Sequence, residues 1–267
     1  GKNAHQNLNC YHRKFMDDYR ALIEKNGIQV GSTQWNERFF ERAQLATLRG
    51  KGLRLIRTSH DMDSLKSKRE LGLILRNGVW TPPQLSQPPE ALARSFYAQG
   101  VRMVQLAYAH QSSGVSKALY AGGAHQDDVK LTTYGRQLAG HLLDNYFVLD
   151  VSFMGKASAL ELVQMARLRN RPVLATRTYA RSLAQNVGEK RCETPHSHGH
   201  SDAILCAIAE TGGVIGIAPH PTSSKNGRCI ERQVSENDYI AHIDYVAKGL
   251  TCRNRFGQRI DMTNHIG

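Results

Sequence analysis

Two stretches decide the reading of this chain: Asn145-Tyr-Phe-Val-Leu-Asp-Val-Ser-Phe153 and Arg171-Pro-Val-Leu-Ala-Thr-Arg177. Each is a short aliphatic or β-branched run that ends in a polar cluster, the pattern of a buried strand with its tip at a surface. Residues 157–170 between them carry apolar side chains at helical spacing. Strand, helix, strand is the unit of a parallel sheet, because parallel neighbours need a crossover. Toward the N-terminus the same rhythm continues. It predicts a helix over 132–145, a strand over Val101–Ala107, a helix from Glu90 to Ala98 closed by Gly100, and a strand over Leu71–Leu75. Before these come a helical turn opening at Ser59, an extended piece over 53–56, a helix over 36–48, a strand over Ile28–Ser32 and a helix over 12–26. Toward the C-terminus a loop leads to a helix over Ser201–Glu210, a strand over Gly213–Ala218 and an amphipathic segment over Tyr239–Ala247.

Strands alternating with helices imply a parallel sheet covered by helices, either closed as a barrel or open and doubly wound. No Gly-x-Gly-x-x-Gly follows any of the strands, which weighs against the dinucleotide-binding version. The 267 residues carry no linker-like break and match the about 250 residues of a TIM-type (β/α)8 barrel. The expectation is therefore an α/β fold with one barrel domain over 1–267, its chemistry at the C-terminal strand ends. No apolar run approaches the roughly 20 residues of a membrane span, and a hydrophobic content of 40% supplies a sizeable core.

Thirty-five Lys and Arg against 23 Asp and Glu give a net charge of +12. Such a balance favours contact with nucleic acid, anionic lipid or an acidic partner. Local basic clusters stand at 66–69, 167–171 and 253–259, and none reads as a single-strand platform interleaved with aromatics. Cys10, Cys192, Cys206, Cys229 and Cys252 are odd in number and have no CxxC spacing. That argues against a disulfide framework and a thiolate zinc site, places Cys206 in the core and favours a reducing compartment.

Several stretches in consistent order over residues 53–250 resemble the membrane (renal) dipeptidase family. They are Gly100-Val-Arg-Met-Val-Gln-Leu-Ala-Tyr108, Leu131-Thr-Thr-Tyr-Gly-Arg136, Val148-Leu-Asp-Val-Ser152, Arg171-Pro-Val-Leu-Ala-Thr176, and Asp202 through Thr211-Gly-Gly-Val-Ile-Gly-Ile217. The resemblance implies a metal-dependent peptidase on an amidohydrolase-type barrel. It also implies two zinc ions held by a His-x-Asp on the first strand, a bridging Glu on the third, and histidines ending the fifth and sixth. Here the third strand ends at Asn77, the fourth at Tyr108, the fifth at Phe153 and the sixth at Arg177. Around the first strand, Asn7-Leu-Asn9 lacks both His and Asp, and the chain reaches Ile266 where the family begins its eighth strand. Phe153 has no lone pair, and the fixed charge of Arg177 repels a cation. No cofactor is expected at the family site. Asp150 matches a supporting position, and Arg191 matches the arginine that holds a substrate carboxylate.

A rival chemistry lies in His196, His198 and His200, which share one face of an extended segment and form a candidate three-imidazole site. The plainer reading is a polar loop capping the helix that follows. His60-Asp61 reads as a helix cap, His242 as a solvated helix face, and His110 has no defined role. Two functions follow. The first is a barrel without hydrolytic zinc chemistry, acting as a binding or structural subunit. The second is a working metallohydrolase with a zinc site drawn from His110, His196, His198 or His200. The barrel edge left by the missing eighth strand, around Ile266 and residues 214–218, is expected to be covered by a protein partner or second copy, by further C-terminal residues or by a helix. Nucleic acid on the basic surface is a further partner class.

Overall fold

The structure is a computed structural model that describes residues 30–34, 53–68, 71–77, 86–107, 127–186, 199–218, 222–225, 228–231 and 236–267. The chain forms two compact units, Gly1–Asn77 with Gln99–Arg102, and Gly78–Ala98 with Met103–Gly267.

In the first unit, β1 (Val30–Gln34), β2 (Leu53–Leu55), α1 (Ser59–Lys68) and β3 (Leu71–Asn77) follow in order. β1 and β2 both pair with β3 in parallel, Val30 opposite Gly72 and Leu53 opposite Leu71. Leu55, Ile56, Leu65, Leu73 and Leu75 form its buried apolar set. Asp61 caps the entry to α1: its Oδ2 accepts from the N–H groups of Arg57 and Thr58, at 2.9 and 2.8 Å. This is the capping role expected of the His60-Asp61 pair.

The second unit opens with α2 (Pro89–Ala98) and continues through the last three residues of β4 (Val101–Gln105), whose first two belong to the first unit, then α3 (Thr133–Asp144), β5 (Val148–Asp150), α4 (Lys156–Arg167) and β6 (Val173–Thr178). Then come α5 (Arg181–Asn186), α6 (Asp202–Glu210), β7 (Ile215–Ile217) and an antiparallel hairpin of β8 (Thr222–Lys225) with β9 (Arg228–Glu231). It closes with α7 (Glu236–Asp244), a π-helical turn (Tyr245–Gly249) and a 3-10 turn (Met262–His265). Met103–Gln105 pairs with β5, β5 with β6, and β6 with β7, all in parallel. The class is α/β, with a parallel run of strands covered by helices.

The helices obey their sequence periodicity. α3 buries Leu138, Ala139, Leu142 and Leu143, each leucine contributing about 1.5–3 kcal/mol. Its N-terminus is fixed by Thr132, whose Oγ1 accepts from the Gly135 N–H at 2.9 Å. α4 stops at Arg167, short of the predicted 170, because Asn170 takes a left-handed φ of +52° that no helix continues through. α6 starts after Ser201, whose side chain makes no capping hydrogen bond, and buries Ile204, Leu205, Ile208 and Ala209.

Two expectations are corrected here. Cys206, on α6, is bonded to Cys252 across 46 residues with their Cα atoms 5.1 Å apart, a separation that suits a bridge. Cysteine spacing therefore carries no statement about redox compartment, and Cys206 is half-buried rather than core. His242 does not lie on a solvated face: its ring is half-buried and packs edge-on against Tyr179, centroids 5.6 Å apart.

The outer edge of β7 is met by the chain's own last residues. Ile215 pairs in parallel with Ile266, and the Gly267 N–H donates to the Ile215 carbonyl at 3.1 Å. Among the described residues no helix is long and apolar enough to cross a membrane.

Candidate functional site

In the second unit the tips of β5 and β6 are tied together through one buried carboxylate. Asp150, the last residue of β5, is fully buried. Its Oδ1 accepts from the Ser152 N–H at 2.9 Å, the Ser152 hydroxyl at 2.6 Å and the Thr176 N–H at 3.2 Å. Its Oδ2 accepts from the Thr176 hydroxyl at 2.5 Å. A carboxylate out of water is costly unless donors surround it, and four are supplied here. The i to i+2 bond from Ser152 to Asp150 is an Asx turn, which swings the chain sharply after β5. Ser152 Oγ also accepts from the Arg177 N–H at 3.0 Å, so the same network fixes the end of β6.

That turn places Phe153 at φ +64°, a left-handed conformation uncommon for a bulky residue. The ring is buried, and the Arg177 guanidinium lies 5.6 Å from its centroid, within cation–π range. Arg177 is exposed and has no carboxylate partner among the described residues.

Behind the tip of β6 sits His200. Its N–H donates to the Tyr179 carbonyl at 3.0 Å and to Thr178 Oγ1 at 3.1 Å, and its own carbonyl accepts from the Arg181 N–H at 3.0 Å. The imidazole is buried, and among the described residues neither ring nitrogen makes a hydrogen bond of normal geometry, though the Val151 backbone lies close enough to act on the ring. Burial, with the nearby charge of Arg181, pushes its pKa from 6.5 to about 4, against the opposing pull of Asp150, the Val151 backbone and Asp127. Arg181 itself pairs with Asp127 at 2.6 Å and donates to the Gly199 carbonyl at 2.9 Å.

Of the residues singled out from sequence, Phe153, Arg177 and Asp150 come together at these tips. Asn77 ends β3 in the first unit, fully buried with both amide atoms unpaired. Tyr108, His110, Arg191, His196 and His198, with Asn7 and Asn9, lie outside the described residues. Sequence reasoning missed Ser152 and Thr176 as the partners of Asp150; the Asp-Val-Ser order that makes an Asx turn was the available signal. It also missed the burial of His200, which no periodicity announces.

A divalent cation needs lone-pair donors. Phe153 offers none, Arg177 is a permanent cation, and both oxygens of Asp150 accept from Ser152 and Thr176. The tips of β5 and β6 do not fit a metal. Among the described residues no group of three or more His, Cys, Asp or Glu side chains is placed to hold one.

The sequence profile described as Membrane dipeptidase (Peptidase family M19) matches residues 36–251. The chain belongs to the membrane dipeptidase family. Among solved structures it is similar to an amidohydrolase from Pseudomonas aeruginosa, with 19% identity over 85% of this chain and 65% of that one and a TM-score of 0.63. A probable dipeptidase, PvdM, from the same organism matches at 17% identity, 68% and 42% coverage and a TM-score of 0.52. A metallopeptidase from Rhodobacter sphaeroides, liganded with a phosphinate mimic of the dipeptide L-Ala-D-Ala, matches at 15% identity, 84% and 63% coverage and a TM-score of 0.59. At these identities the likeness shows the shared fold. The chain spans less than two thirds of the length of these three. No curated protein matches it.

Proposed function

We propose that this membrane dipeptidase family member lacks hydrolytic zinc chemistry and acts as a binding or structural subunit. The observation that carries the reading is the pair at the strand tips: Phe153 and Arg177 stand where the family resemblance implies two metal-binding histidines, with the guanidinium 5.6 Å from the ring centroid. A hydrolytic zinc centre works by generating hydroxide and polarising the peptide carbonyl. A fixed cation at that place opposes the metal electrostatically, and the aromatic ring fills its coordination space. Asp150, Ser152 and Thr176 then serve to hold the tips rather than to move protons. As a subunit, the chain would meet a partner chain along the part of the β7 edge that the Ile215–Ile266 bridge leaves uncovered.

The test is metal analysis of the purified protein together with hydrolysis of a dipeptide such as L-Ala-D-Ala, before and after zinc addition. Zinc well below one ion per chain after dialysis and no zinc-dependent hydrolysis are expected. Tightly retained zinc with dipeptide turnover would overturn the reading and point to the histidines of the 196–200 segment.

A further inference from the structure

Two basic runs far apart in sequence, 167–171 and 253–259, are brought together at one end of the second unit. The strands β4 to β7 are parallel, so the helices that return between them finish at the same end of the sheet. α3 ends at Asp144, α4 at Arg167 and α6 at Glu210. Glu210 joins the two runs: its Oε1 accepts from Arg167 at 2.7 Å and from the Arg255 N–H at 2.9 Å.

The segment that Arg255 belongs to is rigidly shaped. Arg253 and Arg259 face each other across an antiparallel bridge, and Asn254 Oδ1 accepts from the N–H groups of Phe256 and Gln258, each at 3.0 Å. Gly257 makes the reversal at φ +77°, and the base of the turn is anchored to α6 by the Cys206–Cys252 bond. Two aromatic rings stand out at this end. Tyr146, 70% exposed just past α3, has the Arg171 guanidinium 3.8 Å from its ring centroid. Phe256, 72% exposed at the turn, has Arg255 at 4.7 Å, so the 253–259 cluster does carry an interleaved aromatic, which corrects the reading of it as a basic run without one. The acids nearby are Asp144 and Glu210, paired with Arg169 and Arg167, and Asp261 beside Arg259. Arg171, Arg253, Arg255 and Arg259 form no salt bridge among the described residues, although Asp261 acts on Arg259 through space and the guanidiniums of Arg171 and Arg253 donate to the Leu143 and Gly257 carbonyls, at 3.4 and 2.7 Å.

We propose that this arginine-and-aromatic end binds single-stranded nucleic acid, the arginines without a salt bridge taking phosphates and Tyr146 and Phe256 stacking bases. Exposed rings with a guanidinium on one face are ready-made stacking platforms, and unpaired bases offer the matching π-faces. A duplex keeps its bases stacked and would use the arginines alone. An anionic membrane fits less well, because the neighbours of Phe256 from Arg253 to Arg259 are all polar apart from Gly257, and insertion of the ring would carry them into the bilayer. The inference is independent of whether the β5 and β6 tips are catalytic.

The test is fluorescence anisotropy of a labelled short oligo-dT with the oxidised full chain, set beside a duplex of equal length and phosphatidylglycerol vesicles. Wild-type protein is expected to bind the single strand saturably at about 50 mM salt, with a log–log salt slope near −3 if all four arginines meet phosphates. Tyr146→Ala with Phe256→Ala is expected to weaken single-strand binding about tenfold or more with the salt slope kept. Arg253→Gln with Arg259→Gln is expected to flatten the slope by about 1.4. All four side chains are exposed, and circular dichroism confirms that the variants fold. Absence of saturable oligonucleotide binding, an aromatic double variant that binds like wild type, or vesicle binding without oligonucleotide binding would each overturn the proposal.

Discussion

Acid should destabilise this protein through His200, whose buried ring resists protonation, with His242 acting in the same direction. His200 is buried, and its pKa falls from 6.5 to about 4 on folding. Below pH 6.5 the unfolded chain therefore takes up a proton that the folded chain refuses, so stability falls as pH drops and levels off below about 4. With 1.36 kcal/mol per pKa unit, the loss is about 1.4 kcal/mol at pH 5.5, about 2.6 at pH 4.5 and roughly 3.4 at the limit. Asp127 acts in a different window. Burial pushes its carboxyl up, but the hydrogen bonds from Arg181 and the Lys156 N–H outweigh this and hold it below 3.8, so its contribution is lost only at lower pH. His242, lowered by burial against the pull of Asp238, adds to the same slope as His200. The assay is urea unfolding at steps from pH 7.5 to 4.5, on wild type and on His200→Gln. The variant keeps the backbone bonds of residue 200 and removes the titrating ring, so its stability should decline by about 2–3 kcal/mol less over that range. Parallel pH curves for the two proteins would refute the reasoning.

Three further outcomes follow from the packing. Closing a loop of 46 residues, the Cys206–Cys252 bond should contribute about 4 kcal/mol by the chain-entropy estimate, so Cys252→Ser should lower the urea midpoint correspondingly, and a midpoint equal to wild type would deny that the bond forms. Asp150→Ala strips the acceptor from Ser152 and Thr176 and should cost about 3 kcal/mol in the same measurement. Phe153→His with Arg177→His should not restore full dipeptide hydrolysis, because Asn77 stands where the family resemblance implies a bridging Glu; turnover of L-Ala-D-Ala by that variant would contradict this.

The central strand–helix–strand unit was legible because its apolar runs are short, dense and bounded by polar tips, and both strands appear within two residues of their expected limits. The stops were less so: α4 ends early at a left-handed Asn170, a choice that apolar periodicity does not encode. α5 and the β8–β9 hairpin fell in what reads as a polar loop, since neither carries an apolar stripe strong enough to announce it. At the site, the replacements at Phe153 and Arg177 could be named from sequence, but their approach to one another could not, because it follows from the turn that Asp150 and Ser152 impose. The disulfide and the meeting of two arginine runs at Glu210 are products of tertiary packing alone, with no spacing rule to reveal them.

The bond between Cys206 and Cys252 also governs what a backbone nick would do. A single cut anywhere between these residues would leave two pieces that remain one covalent molecule, with the strand-like end at Ile266 still tethered close to its partner Ile215. Reassembly of such a nicked protein would be a unimolecular event, its rate independent of protein concentration. After reduction the same pieces would have to find each other by diffusion, and dilution alone would separate them.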